Sequence, residues 1–249
     1  PDKDFEDSDT YKKFGGDYGS IQDWRRANID KLIEETYNTV KAIDPDVRFG
    51  VSPFGIWANK SSNPLGSATN GNQSYYSHFA DSRKWVLNGW LDYICPQLYW
   101  NIGYNIADYE VLLNWWANVV RGTDVDLYVG HASYRCSDED PSSPWYGTSE
   151  LRRQLNMNAA TPEVKGSVHF RYSFFLSYAP LGRFITNYYS DMELPSDYPV
   201  MPSPGKPEGI VLGRPTQDIS TTYSKMYVIG RCDPEQPLYL NGKEVENIT

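Results

Sequence analysis

Apolar residues at Ile21, Trp24, Ile29, Leu32, Ile33, Tyr37, Val40 and Ile43 recur at the spacing of one helix face, and Asp44-Pro45 ends the run. Residues 21–43 are therefore predicted to be helical. Residues 1–20, polar and without periodicity, are predicted to be a loop. From there the pattern alternates. VRFGVSPFGIW (47–57), LDYICPQLYW (91–100), VDLYVGHASYR (125–135) and GSVHFRYSFF (166–175) are short, strongly apolar runs of strand type. Between and after them, residues 75–90, 107–122, 148–160 and 180–191 carry helical spacing. Gly122 closes the second of these helices, Thr148 or Ser149 caps the third, and Pro180 opens the fourth.

Strands and helices in strict alternation imply parallel pairing with the helices packed outside. Four such units suit a small open sheet or half of an eight-stranded barrel. Bulky residues at the strand ends (Trp57, Trp100, Tyr134 and Tyr172) favour the barrel, whose C-terminal loops line a cleft. Neither GxGxxG nor GxxxxGK[ST] occurs, which argues against a nucleotide fold. The fold class expected is α/β, with residues 1–191 forming the C-terminal half of a TIM-type (β/α)8 barrel of about four βα units. Residues 192–209 hold five prolines and read as a semi-rigid linker. Residues 210–249 alternate β-type runs with turns, and Asn241-Gly242 signals a hairpin, so the start of a β-sandwich module is expected there.

Composition narrows the function classes. No apolar run approaches the roughly 18 residues of a spanning helix, so no integral membrane segment is expected. With 23 Lys+Arg against 32 Asp+Glu, the net charge of -9 argues against a nucleic-acid partner. Eight Trp, 20 Tyr and 9 Phe supply rings whose flat faces and polar edges suit a partly wet binding surface. Three cysteines without a CxxC, and the absence of HExxH, give no disulfide framework, metal site or cofactor.

Candidate chemistry gathers at the strand ends. Strand alternation puts Gln97 and Tyr99 on one side of the second strand and Leu98 and Trp100 on the other. An amide beside a phenol suits the hydroxyls and C–H face of a sugar, and packing at the barrel top is the plainer alternative. His131 follows Gly130 at the third strand's end, where an active-site residue belongs. Along the fourth strand His169 and Arg171 share a face, and Arg171 suits an anion or a carboxylate. His78 falls within a helix and reads as structural. The acids of the opening segment read as a solvated loop. No strand end offers Asp or Glu to the cleft, whereas glycoside hydrolysis usually needs two carboxylates. The acids of a hydrolase built on this chain would come from other strands or from the opening loop. GxSxG is absent, so a serine nucleophile is not expected.

DWRRANIDKLI (23–33), FGVSPFGIWAN (49–59), YYSHFADSRKWVLNGWLDYICPQLYW (75–100), ADYEVLLNWWANVV (107–120) and LYVGHASYR (127–135) closely resemble the glycosyl hydrolase-like 10 family of bacterial envelope proteins. The resemblance runs from about Pro1 to Tyr189. It implies a TIM-type barrel glycoside hydrolase, secreted or lipid-anchored outside the cytoplasm, that cleaves polysaccharide, specifically peptidoglycan glycan strands without peptide stems. The family's Asp-Asp-Tyr-Phe-Tyr-Pro block would end at Pro1, which places the first half of the barrel and the catalytic acids upstream; this chain alone is then expected to be inactive and prone to aggregate. SPFGIWAN implies Ser52, Phe54, Trp57 and Asn59 near the cleft, PQLYW implies Gln97, Tyr99 and Trp100, and GHASY implies His131 and Tyr134. Arg171 and Tyr172, at the end of the fourth strand, complete the expected substrate-binding set. DPEQPLYLNGKEV resembles the immunoglobulin-like modules of bacterial cell-wall enzymes. The alternatives are a catalytically inactive glycan-binding barrel or scaffold, and an interaction module without a sugar ligand.

Overall fold

Helix formation begins earlier than the sequence pattern indicates. In a computed structural model that describes residues 6–190, 211–214, 229–231, 237–240 and 242–245, the opening segment contains helix α1 (Ser8–Phe14), with Asp9 in its first turn and Lys12 and Lys13 in its last. Those charges oppose the helix dipole at both ends, which favours a short helix where periodicity gives no signal. Helix α2 (Ile21–Ile43) is as predicted: Ser20 Oγ accepts from the Asp23 backbone N–H and the helix stops at Asp44.

The chain divides into two units, Pro1–Asp191 and Met192–Thr249. The first is built on four parallel strands, β1 (Gly50–Val51), β2 (Tyr93–Ile94), β3 (Asp126–His131) and β4 (Val164–His169), in the order β1-β2-β3-β4. Bridges from Phe54 to Gln97 and from Gln97 to Gly130 carry the pairing beyond the short ladders of β1 and β2. This α/β architecture is compatible with part of a TIM-type barrel. Among the described residues, β1 and β4 each pair on one side only.

The crossovers between strands depart from the predicted helices in two places. The expected helix over 75–90 is two short ones, α3 (Ser74–Ser77) and α4 (Ser82–Leu87). Phe79, between them, has a φ of 53° that a helix cannot accommodate, and Asp81 recaps the chain by accepting from the Lys84 N–H. After β3 a 3₁₀ turn (Ser133–Cys136) leads to the loop before α6 (Ser149–Ala159). The fourth strand ends at His169, and Tyr172 opens helix α7 (Tyr172–Ser177), followed by α8 (Ala179–Tyr189). Tyr172 is thus a helical residue, not a strand end. Helix α5 (Tyr109–Val120) matches its prediction and is capped by Asp108.

Period-2 alternation decides which residues face the helices. Ile94, Leu98, Leu127 and Val129 are fully buried against Leu112, Leu113 and Trp116 of α5. The Trp116 indole N–H donates to the Gly55 carbonyl at 2.8 Å, tying α5 to the turn after β1. A second cluster, Cys136, Leu151, Leu155, Leu181 and Phe184, joins the 3₁₀ turn, α6 and α8. The opposite sheet face carries Phe54, Gln97, Gly130 and Val168 in one register row. Phe54 and Val168 stand about half exposed on it. Gly166 admits the Tyr128 ring from β3 to this face; a Cβ there would lie 3.1 Å from the ring.

In the second unit, β5 (Val211–Arg214) pairs antiparallel with β6 (Ile229–Arg231), and β7 (Leu238–Leu240) with β8 (Lys243–Val245). The last pair flanks Asn241-Gly242, and Gly242 adopts the positive φ of 78° that a tight hairpin demands. The expected linker and most of the expected sandwich lie outside the described residues. Among the described residues, no helix is long and apolar enough to cross a membrane.

Candidate functional site

At the C-terminal end of β2 the chain presents Gln97 and Tyr99 to the sheet face opposite the helices. The Gln97 amide donates to the Ser52 carbonyl at 3.0 Å, which fixes the amide plane between β1 and β2. Tyr99 meets Tyr134 edge to face at 6.4 Å and Phe170 at 6.1 Å. Tyr134 also contacts Phe170 at 6.2 Å and Phe174 at 6.0 Å. Four rings from β2, the 3₁₀ turn, the end of β4 and α7 thus form one aromatic surface. Burial pushes the Tyr99 hydroxyl up to about 12, so at neutral pH it is a protonated hydrogen-bond donor. At the other edge Phe54 stacks on His78 at 4.6 Å, and Asn72 Nδ2 lies 3.2 Å from His78 Nε2.

Ser52, Phe54, Gln97, Tyr99 and Tyr134 are therefore brought together on one face. Trp57, Asn59 and His131 are withdrawn from it. Trp57 is 3% exposed, stacks on Trp115 at 5.8 Å and donates to Asp81 Oδ1 at 2.9 Å. Asn59 fastens the loop that follows: its Oδ1 accepts from Thr69 Oγ1 and the Gly71 N–H, and its Nδ2 donates to the Gly71 carbonyl. Removing that side chain leaves buried loop groups unpaired. Asn59→Ala is expected to cost about 1–2 kcal/mol and to speed proteolysis between residues 60 and 72, read by limited digestion and mass spectrometry.

His131 alternates with Leu127 and Val129, so it points at the helices rather than into a cleft, and it is fully buried. Its Nδ1 lies 3.0 Å from Gln154 Oε1, and its Nε2 lies 3.0 Å from both Ser167 Oγ and Asn158 Nδ2. A carbonyl oxygen only accepts, so Nδ1 carries the proton and Nε2 accepts. His169 lies on the same side, 5.4 Å from His131, with Nδ1 2.8 Å from Ser133 Oγ. Trp100 packs partly against the core, and its carbonyl accepts from Gln154 Nε2. Arg171 and Tyr172 are exposed at the start of α7, with the Arg171 guanidinium 5.7 Å from the Phe174 ring.

Four carboxylates of the described residues are committed elsewhere. Asp7 is held bidentately by Arg25, which lowers its pKa. Asp30 accepts from the Trp85 indole and pairs with Lys84. Glu150, nearly fully buried, accepts from the Ile102 N–H, Gln154 Nε2 and Arg153. Asp81 holds the Trp57 indole, and burial raises its pKa. Among the described residues, no cluster of His, Cys, Asp or Glu is arranged to hold a metal ion, and Cys95 and Cys136 are free and buried. Sequence reasoning weighed His78 as a structural residue within a helix, whereas it follows α3 as its C-cap and stacks on Phe54, and it did not single out Phe170 or Phe174. Phe170 was legible, because it alternates with Val168 along β4.

The family model for glycosyl hydrolase-like 10 matches residues 1–146, more than half of the chain and most of the aromatic face. The chain belongs to that family. Among its curated relatives, Glycosyl hydrolase DigH of Escherichia coli K12 is 46% identical over 169 residues, covering 66% of this chain and 38% of the relative. Glycosyl hydrolase YngK of Bacillus subtilis strain 168 is 43% identical over 171 residues, covering 68% of this chain and 33% of the relative. The chain thus spans little more than a third of the length of these relatives. The matched family segment carries Ser52, Phe54, Gln97, Tyr99 and Tyr134, whereas Phe170 and α7 lie beyond it.

Proposed function

We propose that the protein is a glycoside hydrolase of the bacterial envelope that acts outside the cytoplasm on polysaccharide, specifically on peptidoglycan glycan strands. The observation that carries this reading is the joining of the Gln97 amide to the Tyr99–Tyr134–Phe170 ring cluster on one exposed face. A sugar ring offers an apolar C–H face and a rim of hydroxyl donors and acceptors. Aromatic faces take the first, and an amide and a phenol take the second. Family membership and the names of DigH and YngK support hydrolysis as the chemistry.

Acid and base catalysis then falls to carboxylates contributed by the remainder of the longer polypeptide, whose strands would flank β1 and β4. The role of this chain is to bind and orient the glycan. Ser52 and Phe54 flank the amide, while Trp57, Asn59, Trp100 and His131 hold the strand ends from behind. Arg171 and Tyr172 stand at the rim.

The test is turnover of purified, peptide-free peptidoglycan strands by the full-length protein, with products followed by mass spectrometry. Released oligosaccharides are expected. Gln97→Ala and Tyr99→Ala are each expected to reduce turnover or binding tenfold or more, about 1.4 kcal/mol. Retention on the strands without products would make the protein a glycan binder, and wild-type activity in both variants would remove the face from the site.

A further inference from the structure

Beyond the aromatic face, the loop after β3 and α7 border an open cavity of about 590 Å³. Ser137, Asp138, Glu139 and Tyr146 form one wall, and Phe174 and Tyr178 the other. It sits past the C-terminal ends of two neighbouring parallel strands, the side on which barrel folds bind substrate. It also continues the face already described. Phe174 contacts Tyr134, and Ser137 Oγ donates to the Tyr134 carbonyl at 2.8 Å.

The loop is built to hold its shape. Tyr146 bridges back to Ser137 and Asp138. Asp138 accepts from Ser143 Oγ at 2.7 Å and from the Asp140 N–H at 3.1 Å. Trp145 is buried beneath, with the Arg135 guanidinium 4.9 Å from its ring, and Arg135 reaches the Tyr99 carbonyl. Such pre-ordering lowers the entropy cost of binding. The Ser143 hydroxyl, with the Asp140 N–H, keeps the Asp138 carboxyl below the usual range, so it is charged at neutral pH.

The chemistry of the walls selects a ligand. Three rings offer stacking faces, two carboxylates offer acceptors, the Ser137, Ser177, Tyr146 and Tyr178 side chains add neutral hydroxyls, and no Lys or Arg is among the lining residues to neutralise the acids. An uncharged pyranose supplies hydroxyl or amide donors to those acceptors and C–H bonds to the rings. A ring bearing a carboxylate would meet like charge. We propose that this cavity is a sugar subsite that takes an uncharged ring of the N-acetylhexosamine type and rejects a carboxylate-bearing ring. It rests on the glycan-hydrolase reading and deepens it. On a strand of alternating uncharged and acid-bearing sugars, the subsite would set the register of cleavage.

The test is calorimetric binding to the full-length protein of chitotetraose, which is uncharged, against tetragalacturonate, which carries one carboxylate per ring. Chitotetraose is expected to bind at least tenfold more tightly. Tyr146→Ala is expected to weaken chitotetraose binding about tenfold, and Glu139→Gln to narrow the preference over tetragalacturonate at least threefold, with both circular dichroism spectra unchanged. Chitotetraose binding that Gln97→Ala weakens but Tyr146→Ala and Glu139→Gln leave alone would overturn the subsite and spare the proposed function. Absence of binding to chitotetraose, with no retention on peptidoglycan strands, would overturn both.

Discussion

Trp116→Ala in the full-length protein is expected to lower unfolding stability by roughly 3–5 kcal/mol, the range found when a buried aromatic is truncated in a packed core. Trp116 is fully buried at the centre of the main cluster, between α5 and the sheet. It does three things at once. Its ring fills the space beside Leu112 and Leu113, it meets Trp115 edge to face at 4.8 Å, and its N–H satisfies the Gly55 carbonyl. Alanine leaves a cavity and an unpaired buried carbonyl, and it loosens Trp115, which stacks on Trp57. Trp116→Phe keeps most of the volume and loses the hydrogen bond, so a cost nearer 1–2 kcal/mol is expected. Guanidinium denaturation of the three proteins measures both values. A loss below about 1 kcal/mol for alanine would mean that the turn after β1 does not depend on α5.

The elements that the sequence makes legible are those in which one physical signal dominates. Helix α5 has a cap at Asp108, a continuous apolar face and a glycine just past its end, and all three agree. Helix α2 likewise combines Ser20, helical spacing and Asp44-Pro45. The break between α3 and α4 has no such signal. Residues 78–81 (HFAD) contain neither glycine nor proline, and the positive φ of Phe79 is a tertiary outcome. Beside it, Arg25 stacks over the Phe79 ring at 4.9 Å. RYSFF (171–175) reads as strand because its aromatics favour extended structure, yet β4 gives way to α7.

The site divides along the same line. Alternation alone paired Gln97 with Tyr99, and the structure keeps them on one face. The same rule, applied to β3, aligns His131 with Leu127 and Val129 and so directs it to the helices. Position at a strand end is a weaker signal than parity along the strand. No local pattern marks the cavity beside α7, because its walls come from segments about 30 residues apart in sequence. A strand-end search for acids therefore passes over Asp138 and Glu139, which lie in the loop after the 3₁₀ turn.

Acid is expected to weaken the fold through the buried His131 and the half-buried His169 before the carboxylates contribute. Burial lowers the pKa of His131 from 6.5 to about 3, with His169 as the second cause, and lowers that of His169 to about 4. A proton on His131 Nε2 would face the Asn158 amide donor, whose Oδ1 is fixed by the Tyr109 hydroxyl at 2.7 Å, and would have to share the Ser167 hydroxyl oxygen that already accepts from that amide. Glu150 stands beyond Gln154, already committed, and does not touch the ring. The sign follows from where protons bind. Above about pH 6.5 both states carry neutral imidazoles, and these groups contribute no pH dependence. Below it the unfolded chain takes up protons that the folded chain refuses, so stability falls by about 1.4 kcal/mol per pH unit for each histidine. At pH 5 that amounts to about 2 kcal/mol apiece, and the loss continues until the folded pKa values are reached. Urea unfolding of the full-length protein at pH 7.5 and 5.0 should show it. His169→Phe, which retains a ring against Phe175, should remove about half of the difference. Equal stability at the two pH values would mean that both imidazoles find a partner for the second proton, and that the network around Asn158 rearranges rather than holds.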